Sequence, residues 1–330
     1  MIGQFLASRI NDSFLVIIVA SAVLYGTPLL FAALGELLAE RSGVLNLGVE
    51  GMMLVGAVMG FWAVQRFEAA GGVSLAGAVL VAAFAGAAMA LIHAFLVITL
   101  RANQIVSGLA LTIFAGVAGL SSYLGNDLEL SGAPAAHAFT RLDVLGLGAV
   151  PVLGPIVFDQ SALVYLSWAC VAGTGIYLAR MRPGLNVRAV GESPGAADAM
   201  GINVTAYRYI HTLVGGALAG IGGACFSLEI TPQWVAGLTG GAGWIAIALV
   251  IFAFWRAELC LLGAYIFGAF SALPFALQAR GWLTGVPSEI FTSLPYVMTI
   301  VILVVVSTGF AKKRLGAPAA LGIPYIREER

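Results

Sequence analysis

The chain has 330 residues, of which 60% are hydrophobic and 10% charged, and its 16 basic residues balance its 16 acidic ones. Soluble domains are about 45–50% apolar and about 25% charged, so the composition excludes an ordinary soluble protein. The apolar runs are long and continuous, as in residues 73–100, whereas a β-barrel would show alternating segments of about ten residues. We therefore expect an all-α, polytopic membrane helical bundle.

Nine apolar runs are expected to cross the bilayer within one transmembrane domain, residues 1–330. The first lacks a clean cleavage site for a secretory signal and is interpreted as an uncleaved span. A re-entrant helix or a tenth crossing is expected at the polar break in residues 35–60, which gives about nine to ten helices with broken segments. The first two runs end at residues 38 and 62. The other seven cover residues 73–100, 103–124, 161–179, 209–228, 242–255, 259–277 and 290–310.

Basic residues predict the orientation, because cytoplasmic loops carry an excess of Lys and Arg. The segment 181–205 and the tail 311–330 are placed in the cytoplasm, and the acidic loop 125–160 is placed outside with Arg66, Arg141 and Arg280. Alternation of nine spans also places Arg9 outside, and a tenth crossing would return it to the cytoplasm. The residues predicted to be inside are Arg41, Arg101, Arg180, Arg182, Arg188, Arg208, Arg256, Lys312, Lys313, Arg314, Arg327 and Arg330.

Two glycine-rich leads, SGVLNLGVEG (42–51) and GLTGGAGW (237–244), each precede an interrupted apolar segment. Broken segments at corresponding places in two halves point to discontinuous helices around a midplane pathway. Ionisable groups at membrane depth are functional candidates. The alternative is that Glu36 and Glu50 bind backbone groups freed where a helix breaks; we favour it for Glu36 and leave Glu50 open. The residues proposed to line or gate the passage are Asn46, Glu50, Asn103, Gln104, Ser107 and Trp244.

The sequence lacks the residues that several kinds of chemistry require. The two lysines, Lys312 and Lys313, lie in the tail outside any GxxxxGK[ST] motif, so the chain has no P-loop for nucleotide hydrolysis. The histidines are scattered, and we expect His93 to be a hydrogen-bonded residue between helices. The cysteines Cys170, Cys225 and Cys260 stand apart in apolar sequence and are expected to be packing residues. We expect neither an enzyme nor a cofactor bound by this chain.

The segment 181–205 is expected to carry a short helix exposed at the inner face. Glu192, Ser193 and Pro194 resemble a helix start, with proline in the first turn and a carboxylate near the positive end of the dipole. Gly201 is expected to end the helix. Such a helix could dock into a partner protein; the alternative is an ordinary loop with one helical turn.

Three stretches resemble the signatures of bacterial ABC importer permeases: residues 35–61, residues 188–204 (RAVGESPGAADAMGINV) and residues 241–252 (GAGWIAIALVIF). The resemblance covers nearly the whole chain, falls in the branched-chain amino acid, ribose and nucleoside class, and is closest to simple-sugar and nucleoside permeases. It departs from the EAA loop of other importers in spacing. It implies an ATPase-coupling region formed by Arg188, Gly191, Glu192, Ser193, Pro194, Ala196, Ala197 and Gly201.

The resemblance also implies partners and a function. The chain would be a multi-pass inner-membrane subunit that pairs with a second permease, expected to be a different but related chain. Cytoplasmic ATPase subunits would hold ATP and Mg²⁺, and an extracytoplasmic binding protein would deliver a nucleoside or a related simple sugar. Membrane lipid surrounds such a protein, and no nucleic-acid partner is expected.

Other functions remain open at this stage. A permease of the same class could carry ribose-like sugars or branched-chain amino acids. A proton-coupled secondary transporter would use Glu36, Glu50 and His93 as a relay. A channel is the weakest candidate, because no repeated ring-forming filter sequence is present.

Overall fold

The computed structural model of the protein describes residues 13–69, 74–133, 138–281, 287, 290, 293–307 and 316–327. Arg9, His137, Lys312, Lys313, Arg314 and Arg330 lie outside these residues. The described residues form twelve α-helices: α1 Phe14–Arg41, α2 Val49–Ala69, α3 Leu75–Ala94, α4 Gln104–Ala115, α5 Leu120–Asp127, α6 Ala162–Arg180, α7 Arg182–Glu192, α8 Pro194–Ala199, α9 Val204–Cys225, α10 Ala242–Phe252, α11 Ala257–Ala279 and α12 Leu294–Ser307.

Short irregular elements extend these helices. The π-helical turns Phe95–Thr99 and Phe226–Ile230 continue α3 and α9. The loop 125–160, which the sequence predicts to lie outside, contains the 3₁₀ turn Val144–Gly146, the π-helical turn Gly154–Phe158 and a two-stranded antiparallel ribbon. Its strands are β1 Arg141–Asp143 and β2 Asp159–Ser161, with Arg141 opposite Ser161.

The helical membrane bundle expected from composition is confirmed. Six stretches of the described chain are long and apolar enough to cross a bilayer: Phe14–Arg41, Leu75–Thr99, Gln104–Asp127, Ala162–Arg180, Val204–Ile230 and Ala257–Ala279. Each of the nine predicted runs overlaps at least one helix. The fourth run is broken into α4 and α5, because the chain turns at residues 116–119, where Ser121 Oγ donates to the carbonyl of Gly116 at 2.9 Å.

Helix α9 lies at the centre of the bundle and packs against α1, α2 and α3. Its glycines allow backbones to approach closely, as small residues do in membrane interfaces. A Cβ atom on Gly215 would lie 2.6 Å from the carbonyl oxygen of Gly35 in α1. A Cβ atom on Gly216 would lie 2.7 Å from the carbonyl oxygen of Gly86 in α3. These contacts leave no space for a larger side chain at either position of α9.

Three of the basic residues predicted to be cytoplasmic meet at one end of the bundle. Arg41 Nη2 donates to the carbonyl of Trp255 at 2.8 Å, and Arg41, Arg188 and Arg256 surround one cavity of about 270 Å³. At the opposite end the guanidinium of Arg280 lies 5.0 Å from the ring centre of Phe14. Helix α1 therefore begins where α11 ends, which agrees with the alternation of nine spans. The expectation of a re-entrant helix or a tenth crossing in residues 35–60 is wrong, because residues 42–48 form a loop that joins α1 directly to α2.

Candidate functional site

The loop of residues 42–48, which follows α1, turns back along that helix. Glu36 lies more than one turn before the end of α1, is buried, and accepts the backbone N–H of Asn46 at 3.0 Å through Oε1. The side-chain oxygen of Asn46 accepts the N–H of Gly48, also at 3.0 Å. The carboxylate thus binds a backbone group freed where the helix breaks. The backbone hydrogen bond expected for Glu36 is therefore confirmed.

Helices α3 and α4 hold the same loop from the other side. His93 Nε2 lies 3.1 Å from the carbonyl of Leu45, and His93 Nδ1 lies 3.0 Å from Ser107 Oγ. A carbonyl only accepts, so Nε2 carries a proton in this arrangement. Gln104 Oε1 accepts the N–H of Leu45 at 2.7 Å. The expectation that His93 is a hydrogen-bonded residue between helices is confirmed.

Glu50 joins the two glycine-rich leads. Its Oε1 accepts from Thr239 Oγ1 at 2.6 Å and from the N–H of Gly241 at 2.9 Å, and its Oε2 accepts from the N–H of Gly243 at 2.7 Å. Helix α10 begins at Ala242, so the carboxylate satisfies N–H groups that the first helical turn leaves free and lies at the positive end of the helix dipole. We call Glu50, Thr239, Gly241 and Gly243 the Glu50 junction.

The junction is also closely packed. A Cβ atom on Gly243 would lie 2.5 Å from both the backbone nitrogen and the Cα of Glu50. Gly241 has φ +82°, in the left-handed region that glycine adopts readily. Glu50 is 6% exposed. The two leads predicted from sequence as separate breaks are therefore one contact.

The six residues predicted to line or gate a passage fall into different environments. Asn46, Glu50, Gln104 and Ser107 are buried around the loop and the junction. Asn103 is exposed and caps α4 by accepting the N–H of Val106 at 3.1 Å. Trp244, one residue beyond the junction, is 39% exposed. Three of the six thus lie at the loop and Glu50 lies at the junction, all four buried, whereas Asn103 and Trp244 are exposed.

A cavity of about 380 Å³ adjoins the junction; we call it the outer cavity. It lies towards the end of the bundle that the sequence predicts to face outside, because its wall includes Gln278, two residues before Arg280. The lining residues that the structure describes carry no charged side chain. Thr239 belongs both to this cavity and to the Glu50 junction. Its aromatic and polar lining residues are Tyr25, Phe226, Phe275, Tyr296, Thr231, Thr239, Ser271 and Gln278.

The sequence did not predict this cavity. Its walls come from α1, the end of α9, the loop before α10, and helices α11 and α12, which are far apart in the chain. Tyr25 and Phe275 stack with ring centres 5.8 Å apart and an interplanar angle of 15°. No linear spacing joins these two residues, so only packing could have revealed them.

The segment 181–205, which the resemblance predicts to couple to an ATPase, contains two helices where one was predicted. Helix α8 begins at Pro194 and is followed by Gly201 at φ +83°, so its predicted start and stop are confirmed. Glu192, however, ends α7. The prediction that its carboxylate starts the same helix as Pro194 is wrong, because the chain completes α7 before Ser193 breaks away at φ −150°.

The predicted coupling residues divide by exposure. Gly191 and Ala197 are buried, and Ala197 packs with Val190 and Val204. Pro194 is half-buried. A solvent-facing set therefore remains on α7, α8 and their ends: Arg188, Glu192, Ser193, Ala196 and Gly201.

Comparison with known proteins gives a consistent result. Residues 18–306 match the family described as branched-chain amino acid transport system / permease component. The chain is 39% identical to a putative glucose ABC transporter permease, TsgC13, of Haloferax volcanii, over 92% of this chain and 95% of the relative. It is 35% identical to the guanosine ABC transporter permease NupQ of Bacillus subtilis and 33% identical to the nucleoside ABC transporter permease NupC of Lactococcus lactis, each over 95% of this chain and 98% of the relative.

No solved structure matches the chain. The family match and the three relatives each extend over nearly the whole sequence, from the first membrane helix to the last. They agree with the helical membrane bundle, and they make the chain a transporter subunit and not an enzyme. The chain therefore belongs to the family of branched-chain amino acid transport system permease components, as a multi-pass membrane subunit of an ABC transporter.

Proposed function

We propose that this permease carries nucleosides inward across the cytoplasmic membrane. The outer cavity is the observation that carries the proposal: its described lining joins four aromatic rings with hydroxyl and amide groups and has no charged side chain. Nucleosides are uncharged and combine a flat heterocycle with several hydroxyls. Stacking on aromatic faces tolerates different bases, while hydroxyl and amide groups suit the sugar. The relatives NupQ and NupC are named as guanosine and nucleoside permeases, which also favours a nucleoside.

A simple sugar is the second candidate cargo. The relative TsgC13 is named as a putative glucose permease, and it is 39% identical to this chain. Hydroxyl and amide groups in the outer cavity would also suit a sugar, whereas the stacked pair Tyr25 and Phe275 favours a flat ring. We therefore place the nucleoside first.

The driving force would come from partner chains. Cytoplasmic ATPase subunits holding ATP and Mg²⁺ would dock on α7 and α8, through the exposed set that includes Arg188 and Glu192. A second, related permease chain would complete the passage. An extracytoplasmic binding protein would deliver the cargo to the end of the bundle where the outer cavity lies.

The buried polar residues would hold the loop of residues 42–48 and the start of α10 in place, and we call them the frame. Asn46, Gln104 and Ser107 fix the loop after α1, and Glu50 fixes the start of α10. Trp244 is placed to move with α10 because it lies within its first turn. Asn103 would set the position of α4 as its cap. In this proposal the frame controls whether the passage is open, and the outer cavity binds the cargo.

A proton relay through Glu36, Glu50 and His93 has less support. Both ring nitrogens of His93 are engaged, by Leu45 and Ser107, and both carboxylate oxygens of Glu50 accept hydrogen bonds at the start of α10. A group that relays protons must exchange partners, and exchange at His93 Nε2 or at Glu50 Oε2 would break a contact with the backbone.

The test uses proteoliposomes that contain the complete complex with its binding protein. Uptake of a labelled purine nucleoside should be reduced by excess unlabelled nucleosides and not by glucose or ribose. It should stop when the ATPase carries an inactivating substitution and continue when a protonophore is added. Competition by sugars alone would select the sugar candidate, and uptake that collapses with the protonophore would select a secondary transporter.

A further inference from the structure

The C-terminal segment 316–327, which we call the strap, lies across the coupling helices. The N–H of Ala320 donates to the carbonyl of Gly191 at 2.9 Å, and the N–H of Ala319 donates to Glu192 Oε2 at 3.3 Å. Pro318 and Ala320 are buried. These contacts fix the strap to the end of α7.

The strap continues from α7 to α8. Arg327 Nε lies 3.4 Å from Asp198 Oδ2, and Tyr325 packs against the cluster of Val190, Ala197 and Val204. Both coupling helices are therefore held by one short stretch of chain that the sequence pattern did not single out.

The other face of the strap contacts the membrane helices. The N–H of Gly322 donates to the carbonyl of Gly43 at 3.3 Å, and Arg41 Nη1 lies 3.4 Å from the carbonyl of Gly316. Arg208 of α9, which is 2% exposed, donates through Nη1 to the carbonyl of Ile323 at 3.1 Å. Burial of a guanidinium is costly without a partner, so this carbonyl is a significant contact for α9.

Gly43 connects the strap to the loop that follows α1. It belongs to the loop of residues 42–48, whose later residue Asn46 is held by Glu36, and the loop leads directly into α2 and Glu50. Gly191 also lies against the carbonyl of Arg41, where a Cβ atom would collide. Displacement of α7 and α8 can thus reach the loop through direct packing and through the strap.

We propose that the strap transmits movement of the coupling helices to the loop after α1, and through it to the Glu50 junction. The proposal rests on the proposed function, in which an ATPase docks on α7 and α8. Arg208, Asp198 and Arg327 act as positioning residues that keep the strap in place.

The first experiment measures cargo imported per ATP hydrolysed by the reconstituted complex. One variant ends after residue 315, which removes the strap, and the matched control ends after residue 327. The strap-free complex should assemble and hydrolyse ATP, with cargo per ATP lowered about fivefold or more, as coupling free energies between sites typically allow. The control should match the unmodified complex. Equal cargo per ATP in all three would overturn the proposal.

A charge exchange keeps the test decisive if the shortened chain does not assemble. Asp198→Arg should lower cargo per ATP by placing two like charges together, and Asp198→Arg combined with Arg327→Asp should restore it. A double variant no better than the single one overturns the proposal. An unmodified complex that hydrolyses ATP and moves no nucleoside would refute the proposed cargo instead, so the two failures are distinct.

Discussion

The Glu50 junction and the outer cavity share Thr239 and lie side by side, yet their chemistry differs. At the junction, both oxygens of a buried carboxylate are engaged by a hydroxyl and two backbone N–H groups. The cavity presents aromatic faces and neutral polar groups around about 380 Å³ of open space. The polar groups of the junction are hydrogen-bonded within the protein, whereas the surface of the cavity is free to bind a small molecule in the proposed function.

In the proposed function, the charged residues at membrane depth do not contact the cargo. Backbone groups within the bilayer must be satisfied by the protein itself, and a broken helix leaves several without partners. Glu36 and Glu50 each supply acceptors for such groups. We therefore expect substitutions at the junction to change stability and gating, and substitutions in the cavity to change handling of the cargo.

The largest effect is expected for Glu50→Ala. The change leaves Thr239 Oγ1 and the N–H groups of Gly241 and Gly243 without their acceptor, and each unpaired buried donor costs about 1–3 kcal/mol. We expect a loss of about 3 kcal/mol or more in unfolding free energy. Thermal unfolding of the purified complex measures it.

Glu50→Gln is the matched control for charge. It keeps one oxygen acceptor and the shape of the side chain, so the loss of stability should be smaller than with alanine. If transport survives in a normally assembled complex, the negative charge has no essential role in the pathway. If Glu50→Gln assembles normally and abolishes transport, the carboxylate does more than hold α10.

A smaller loss is expected for Gly243→Ala. The added methyl would press on the backbone of Glu50 and should cost about 1–3 kcal/mol, as overpacking does. The control is Gly175→Ala in α6, where the new Cβ meets nothing within 4 Å. The control should be neutral or slightly stabilising. Equal unfolding temperatures for the two variants would contradict the close contact at the junction.

Ser107→Ala should cost about 1 kcal/mol, because His93 Nδ1 loses its partner while Nε2 keeps the carbonyl of Leu45. The looser loop should exchange backbone amide hydrogens faster. Hydrogen exchange at residues 42–48, compared with the unaltered protein, measures this. Unchanged exchange would show that other contacts suffice to hold the loop.

The smallest change in stability is expected for Phe275→Leu in the outer cavity. This side chain is 58% exposed and stacks on Tyr25. Uptake of a purine nucleoside should fall about fivefold, because stacking on a base contributes about 1–3 kcal/mol. Phe84→Leu is the control, since Phe84 is 74% exposed on α3 and does not line the cavity. Equal uptake by both variants would remove the cavity from the pathway.

Sequence reasoning predicted the parts of this fold that depend on local pattern. Continuous apolar runs predicted the helices, and two glycine-rich leads predicted the breaks. The closure of Glu50 on Gly243 was not predictable, because it joins residues 193 positions apart. Helix α7 was missed because few of its positions are apolar. The strap was missed because alanine, glycine and proline carry no periodic signal.

The division between a frame and a cargo site is tested most directly by photolabelling. The assembled complex is irradiated with an azido-purine nucleoside, and the labelled peptides are identified by mass spectrometry. We predict label on the peptides that carry Tyr25, Phe275 or Tyr296, and its loss when excess nucleoside is present. Label confined to residues 42–50, with these cavity peptides unmodified, would contradict the account.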